Sequence, residues 1–375
     1  MKLGFFRRGL AVAALVVLCF FTVRPASAQS GGPSIPREVV NNVIQNIIQN
    51  VRDQIQHRKI IPPPGVMRFS GEASEFDNRD PFASKGGSNP FSALAYAKAP
   101  PLAAPPAAAW LYGVNLVGSG DKGQTFGLET SVATVTGAFD VTKIGIFTAT
   151  DALSFIGTGS HSWAHSFTPG NDFAAPFTLD GSIPSTSGTL SYINGGFSAD
   201  FTALASWTHN TTNAIGAIAD TSGLAYTFNG QYRFDFPYTV WIEPTAGVTF
   251  SETYTANFGT KTGDSTEVHG GARAGFETKW MGFTVQPSVS GQYYEIVDAS
   301  GDAGAVLVGT TLVGGAVGTY GVRGSGKINV LWTPQLSSYL EVHGSTVNSP
   351  KTGLPALGGA GTQIVGTQAG LRYTW

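Results

Sequence analysis

Histidine supplies the first candidate chemistry. His161 and His165 lie four apart with Trp163 between them, so on an extended strand all three share one face. Two imidazoles on one face are half of a metal site, but no acid stands close by in the sequence to complete it. The pattern therefore places the pair in a loop or a lumen. Glu341 and His343 also share a strand face, which fits an acid–base pair or, inside a barrel, a hydrogen-bonded pair. Gly118 to Gly123 matches a dinucleotide-binding turn letter by letter. It sits between two alternating strands, with no helix N-terminus to hold a phosphate, and reads as a hairpin turn. Gly321 to Lys327 matches most of a phosphate-binding loop, yet Ile328 stands where Ser or Thr would hold magnesium. No Ser-His-Asp or paired-carboxylate arrangement stands out, so neither an enzyme nor a cofactor is expected.

The elements around these residues carry more information. In the last ten residues Ala369, Leu371, Tyr373 and Trp375 alternate with Gln368, Gly370, Arg372 and Thr374. Alternation with period two is a strand with one apolar and one polar face. The cleanest run is Leu224, Tyr226, Phe228, Gly230, Tyr232, Phe234 and Phe236, interleaved with Thr227, Asn229, Gln231, Arg233 and Asp235. Trp110, Tyr112, Val114 and Leu116 alternate, as do Phe126, Leu128, Thr130 and Val132. Val268, Ala272, Ala274, Phe276 and Trp280 alternate with Glu267, His269, Arg273, Glu277 and Lys279. From 109 to 375 there is room for about twelve strands of about ten residues each, the length of a tilted membrane-crossing strand. The stretch 138–190 is the hardest to divide.

Composition decides which face points out. Charged residues are 12% of the chain, about half the usual share. A soluble sandwich of this size needs far more surface Lys and Glu. The large aromatics also exceed what a sandwich core would take. The pattern is therefore turned inside out, with apolar residues toward lipid and Glu267, His269, Arg273, Glu277 and Lys279 toward the lumen. A mean hydropathy of +0.05 fits a barrel that spreads its apolar residues over alternate positions. Closure removes the open edges that lipid would not tolerate.

The N-terminal third is different. Lys2, Arg7 and Arg8 precede an apolar run from Leu10 to Val23, and Ala26-Ser27-Ala28 ends it. This is a secretory signal peptide over 1–28, with Ala26 and Ala28 framing the cleavage site and the secretion machinery as its partner. The one cysteine, Cys19, falls inside it, so the mature chain has no thiol chemistry. The leader also takes four cations (Lys2, Arg7, Arg8 and Arg24) and no acids, leaving a mature chain more acidic than the full-length −2. A basic nucleic-acid stripe is excluded. Within the segment 29–61, Val39, Val40, Val43, Ile44, Ile47, Ile48, Val51 and Ile55 repeat every three or four positions. They predict an amphipathic helix over 35–58, with Ser34 as N-cap and Pro36 in its first turn. Its stripe needs a partner: another copy of the helix, the lumen or a membrane surface. Residues 62–108, rich in Pro and Ala, read as a linker.

The C-terminal residues resemble the translocator barrel of bacterial autotransporters. The likeness lies in Glu267-Val268-His269-Gly270-Gly271-Ala272-Arg273-Ala274-Gly275-Phe276, in Phe283-Thr284-Val285-Gln286-Pro287-Ser288-Val289, and in the closing Ala369 to Trp375. The resemblance implies a twelve-strand barrel in the outer membrane of a Gram-negative bacterium. It implies that Leu371, Tyr373 and Trp375 carry the signal read by the barrel-assembly machinery. The family also carries a long passenger and threads a helix through the pore just before its first strand. Here the region ahead of the barrel is short, and Ala99 to Ala108 is too Pro-rich for a helix. The helix over 35–58 would have to fold back to serve as a plug.

Four readings follow for function. The leading one is a non-enzymatic, autotransporter-like outer-membrane barrel that displays, or is plugged by, its short N-terminal segment. The others are a passive porin-like channel for small polar solutes, a barrel enzyme using Glu341 and His343, and a soluble β-sandwich.

Overall fold

The computed structural model describes residues 110–125, 128–148, 151–168, 176–212, 220–301, 306–308, 311–313, 317–333, 335–348 and 362–375. The signal peptide with Ala26 and Ala28, the helix over 35–58 and the linker 62–108 lie outside the described residues.

Twelve strands form one ring. They are β1 (Trp110–Thr125), β2 (Leu128–Ile144), β3 (Asp151–Thr168), β4 (Phe177–Asn194), β5 (Phe197–Thr212) and β6 (Thr221–Tyr232, continued by Phe234–Asp235). After these come β7 (Val240–Thr255), β8 (Lys261–Phe276, continued by Thr278–Trp280), β9 (Phe283–Gly301), β10 (Tyr320–Leu331), β11 (Leu336–Asn348) and β12 (Thr362–Thr374). Each strand pairs antiparallel with the next, and β1 closes on β12 from Gly113↔Thr374 to Gln124↔Gln363. Beyond that ladder, Tyr112 and Trp375 exchange both backbone hydrogen bonds at 3.0 Å. The closed ring has no edge, so every strand can pair on both sides without water. A separate small hairpin, Val306–Val308 with Thr311–Val313, lies in the β9–β10 connection.

The two ends of the ring differ. Where β1 starts and β12 finishes, the connections are 145–150, 195–196, 236–239, 281–282 and 332–335. At the other end they are 126–127, 169–176, 213–220, 256–260, 302–319 and 349–361. Short turns mark the periplasmic end of such barrels, and long loops the cell exterior. The tight Met281-Gly282 turn has both residues left-handed, with φ of 50° and 87°. That is the geometry whose twist suits a two-residue hairpin, and Gly282 adopts it without strain.

The strands run from 12 to 19 residues, longer than the roughly ten a crossing needs, so they project beyond the bilayer. Side chains alternate as the sequence predicts. Trp110, Tyr112, Val114 and Leu116 are exposed on the outer wall, while Asn115 and Asp121 of the same strand are buried. Leu371, Tyr373 and Trp375 of β12 point outward, while Gln368 and Arg372 are buried. Tyr373 and Tyr112 both stack on Trp375, with ring centroids 5.9 and 6.1 Å away. A wall that is apolar outside and polar inside is stable only with hydrocarbon around it. One strand departs from its expected phase. Thr130 and Val132 of β2 face inward, and Val135 and Phe139 carry its outer face. Val132 is held inside by a small apolar cluster with Ala164, Ile183 and Ile364.

Candidate functional site

The lumen is the candidate site, and its two halves differ. From β2 to β7 the inward positions are largely hydroxyls paired across neighbouring strands. Thr130 meets Ser166 at 3.0 Å, Thr134 meets Ser162 at 2.8 Å and Thr142 meets Ser154 at 2.7 Å. The ladder continues through Thr158–Ser187 at 2.6 Å, Thr189–Thr202 at 2.8 Å and Thr227–Thr249 at 3.0 Å. A hydroxyl both donates and accepts, so such pairs satisfy buried polar groups without charge.

The other half carries most of the cations, which reach acids on both sides of the ring. The Arg323 guanidinium of β10 grips the Glu267 carboxylate of β8 with Nη1 and Nη2, at 2.9 and 2.7 Å. Its face lies 3.9 Å from the centroid of Tyr294. His269 Nε2 donates to Asn229 Oδ1 at 2.6 Å, and Asn229 Nδ2 donates to Asp200 Oδ2 at 3.0 Å. Arg273 Nη2 donates to Glu243 Oε1 at 3.2 Å and shares the Trp241 ring with Arg233. Arg372 Nη2 of β12 reaches Asp140 Oδ1 of β2 at 3.2 Å, passing over β1. His343 Nε2 of β11 donates to Asp121 Oδ1 of β1 at 2.6 Å, passing over β12.

Glycine makes two of these crossings possible. A Cβ on Gly366 would collide with both Asp121 and His343, and one on Gly247 with both Asn229 and His269. The intervening strand must be bare at that point for its neighbours to meet above it.

Of the residues the sequence assigned to the lumen, Glu267 and His269 are buried there, and Arg273 lies part-buried beside Glu243. Glu277 sits at the break before 278–280 and accepts a hydrogen bond from Gln286 Nε2 at 3.0 Å. Lys279 is exposed at the short-turn end. Glu341 and His343 share the inward face and do not contact each other directly. The Glu341 carboxylate, 1% exposed, has no hydrogen-bond partner among the described residues. Asp121, Asp140, Glu243 and Arg323 complete the site without having been singled out in the sequence. Their signal was present, since each sits in the polar phase of an alternating strand.

His161 and His165 face outward from β3 rather than into the lumen. The acid that the local sequence lacks comes from β4: His165 Nδ1 donates to Asp180 Oδ1 at 2.6 Å. His161 Nε2 meets Ser182 Oγ at 3.1 Å. Among the described residues no group of three metal-ligating side chains forms. Gly118 to Gly123 lies within β1, and Gly321 to Lys327 within β10, so neither is a phosphate-binding loop.

Polar clasps hold the two rims. At the short-turn end, Asp151 accepts from the backbone N–H of Ile146 at 2.8 Å and of Phe147 at 2.9 Å. Burial opposes its charge, but the N–H groups of Phe147 and Ile146 prevail and hold the carboxyl below its usual range. At the exterior end, Lys261 Nζ bridges Asp264 at 2.6 Å and Glu252 at 2.8 Å. Burial, with Glu252 beside it, pushes the Tyr254 phenol up to about 12.

No protein-family model and no curated protein matches the chain. Among solved structures, the β-domain of the Bordetella autotransporter BrkA superposes with a TM-score of 0.51 at 17% identity, covering 72% of this chain and 100% of that one. The translocator domain of NalP from Neisseria meningitidis gives 0.46 at 8% identity, covering 70% and 88%. The anion-selective porin of Comamonas acidovorans gives 0.28 at 11% identity, covering 72% and 100%. Closed ring, inverted walls and the likeness to the BrkA β-domain together make the chain an outer-membrane β-barrel with the fold of an autotransporter β-domain.

Proposed function

We propose that the protein is a non-enzymatic, autotransporter-like barrel whose short N-terminal segment occupies or passes through its lumen. The observation that carries this reading is the shielding of the lumen. A ring of about eight strands is filled by its own side chains, whereas a wider one encloses space. Yet in this ring of twelve strands Thr189, Asp200 and Glu341 are 0%, 2% and 1% exposed. Each is packed among its wall neighbours, Thr189 on Thr202 and Asp200 on Asn229, so the lumen is lined by close-set polar groups, and the segment 29–61 is the part of the chain we assign to it. A second reading, a passive channel for small polar solutes, draws on the charged half of the lumen. On the same reading, the outward stripe Leu371, Tyr373 and Trp375 carries the signal for the barrel-assembly machinery.

Protease treatment of intact cells tests the proposal. Cleavage within 62–108 on intact cells supports passage to the surface. Protection until the outer membrane is opened supports a lumenal plug. Ion conductance by the full chain, unchanged on deleting 29–108, would favour the passive channel and sink both forms of the proposal.

A further inference from the structure

The outer wall is not uniformly smooth. Near the exterior end, a groove of about 760 Å³ crosses the seam where β12 meets β1 and continues over β2, β3 and β4. Two rows of register partners build it. One is Thr367, Gly120, Ala133 and Trp163, and the other is Val365, Lys122, Ser131, His165 and Asp180. The floor is low because its residues are small. A Cβ added at Gly120 would meet nothing within 4 Å, nor would one at Gly118, the next outward position beyond the groove toward the periplasm. The walls are high, because Val365 and Trp163 stand 61% and 53% exposed on either side.

The groove changes character along its length. Its periplasm-facing part is apolar and continuous with the lipid-facing band of Leu116, Leu371 and Phe139. Its exterior rim is polar. There Asp180 is already paired with His165 at 2.6 Å, whereas Lys122 has no ion-pair partner among the described residues. Counting from Tyr112, Lys122 is about ten residues along β1, the length at which a strand leaves the hydrocarbon. A cation therefore stands at headgroup depth above a channel for a hydrocarbon chain.

We propose that this groove is a binding site for one phosphorylated glycolipid of the outer leaflet. An acyl chain lies on Gly118, Gly120, Ala133 and Thr367 against Trp163, and a phosphate pairs with the Lys122 ammonium. The occupant follows from place and charge. The groove lies on the lipid-facing wall, its apolar end is continuous with the lipid-covered band, and its polar end carries an available cation at the level of the phosphates.

The test uses the purified full chain in detergent and native mass spectrometry. Two probes are added: the phosphorylated glucosamine-disaccharide anchor of lipopolysaccharide, and the same lipid with its phosphates removed. The wild type is expected to retain one phosphorylated lipid, and to retain the dephosphorylated one about tenfold less. Lys122→Gln should abolish that preference while leaving weak binding of both. Ala133→Leu, which fills the floor from the lipid side, should lose both. Heat-modifiable gel migration confirms that each variant remains a closed barrel. Equal retention of the two lipids by the wild type would overturn the proposal, as would wild-type retention by Ala133→Leu or no retention at all.

Discussion

His343 Nε2 donates to Asp121 Oδ1 at 2.6 Å directly above Gly366, so β11 and β1 are joined across the strand that separates them. Both partners are buried, at 8% and 4% side-chain exposure. The bond ties together three strands at the seam of the ring, where the first and last strands meet.

Gly366→Ala is therefore expected to be disproportionately harmful. The new methyl would force the two side chains apart and leave buried polar atoms unsatisfied, at a cost of about 2–3 kcal/mol. Gly118→Ala, on the outer wall with open space around it, is the matched control and should be neutral. Urea unfolding in detergent, followed by tryptophan fluorescence and gel migration, reads the difference. Equal midpoints for the two variants would refute the strut.

The Glu267–Arg323 pair should show strong coupling. Arg323→Met leaves a buried carboxylate with only His269 Nδ1, 3.4 Å away, and is expected to cost about 3 kcal/mol, while adding Glu267→Gln should recover part of the loss. A double-mutant cycle on unfolding midpoints measures it. Additive losses would mean that the two groups are held independently.

Much of this architecture was legible in the sequence. The alternation in β6 and β12 located the strands, and the scarcity of charge turned the wall inside out. Local patterning could not reveal which partner each charge would find. Arg323 and Glu267 are 56 positions apart and meet only across the strand β9 between them, while His343 and Asp121 are 222 apart and meet only when the ring closes. The same limit applies to His165, whose acid arrives from the next strand. In β2 the alternation was correct but its phase was not, because Val132 and Thr130 look equally at home on either face of a mixed wall. The Gly366 and Gly247 crossings were invisible for a related reason: a glycine in a strand announces a gap without saying what fills it.

Acid should loosen the turn at 145–150. The Asp151 pKa is lowered in the folded state, so its contribution is present above the ordinary value of 3.8 and is lost as the pH falls through the folded pKa. Wild type should exceed Asp151→Asn in resistance to cleavage of this turn at neutral pH, and the two should converge in strong acid. Both arms read cleavage at Phe147 in the turn, pepsin the acidic one and chymotrypsin, on spheroplasts, the neutral one. A gap that persists unchanged below that range would refute the assignment.

Trp375→Ser should lower the yield of heat-modifiable barrel in the outer membrane several-fold, with unfolded chain accumulating in the periplasm. Refolding the same variant into detergent should proceed normally, because Trp375 is 58% exposed and packs on little besides Tyr112 and Tyr373. Equal loss in both settings would make the residue a stability element instead of an assembly signal.

Two of the lumen contacts reach over the seam: Arg372 to Asp140 above β1, and His343 to Asp121 above β12. Neither can form while the sheet is still an open ribbon, because each needs strands from both ends of the barrel. They come into being only after the ring shuts, and so they cannot hasten its shutting. Contacts absent from the transition state act by slowing escape from the finished state. The seam would thus work as a ratchet, in which assembly proceeds at its own pace and reopening between the first and last strands becomes rare on the lifetime of the cell envelope.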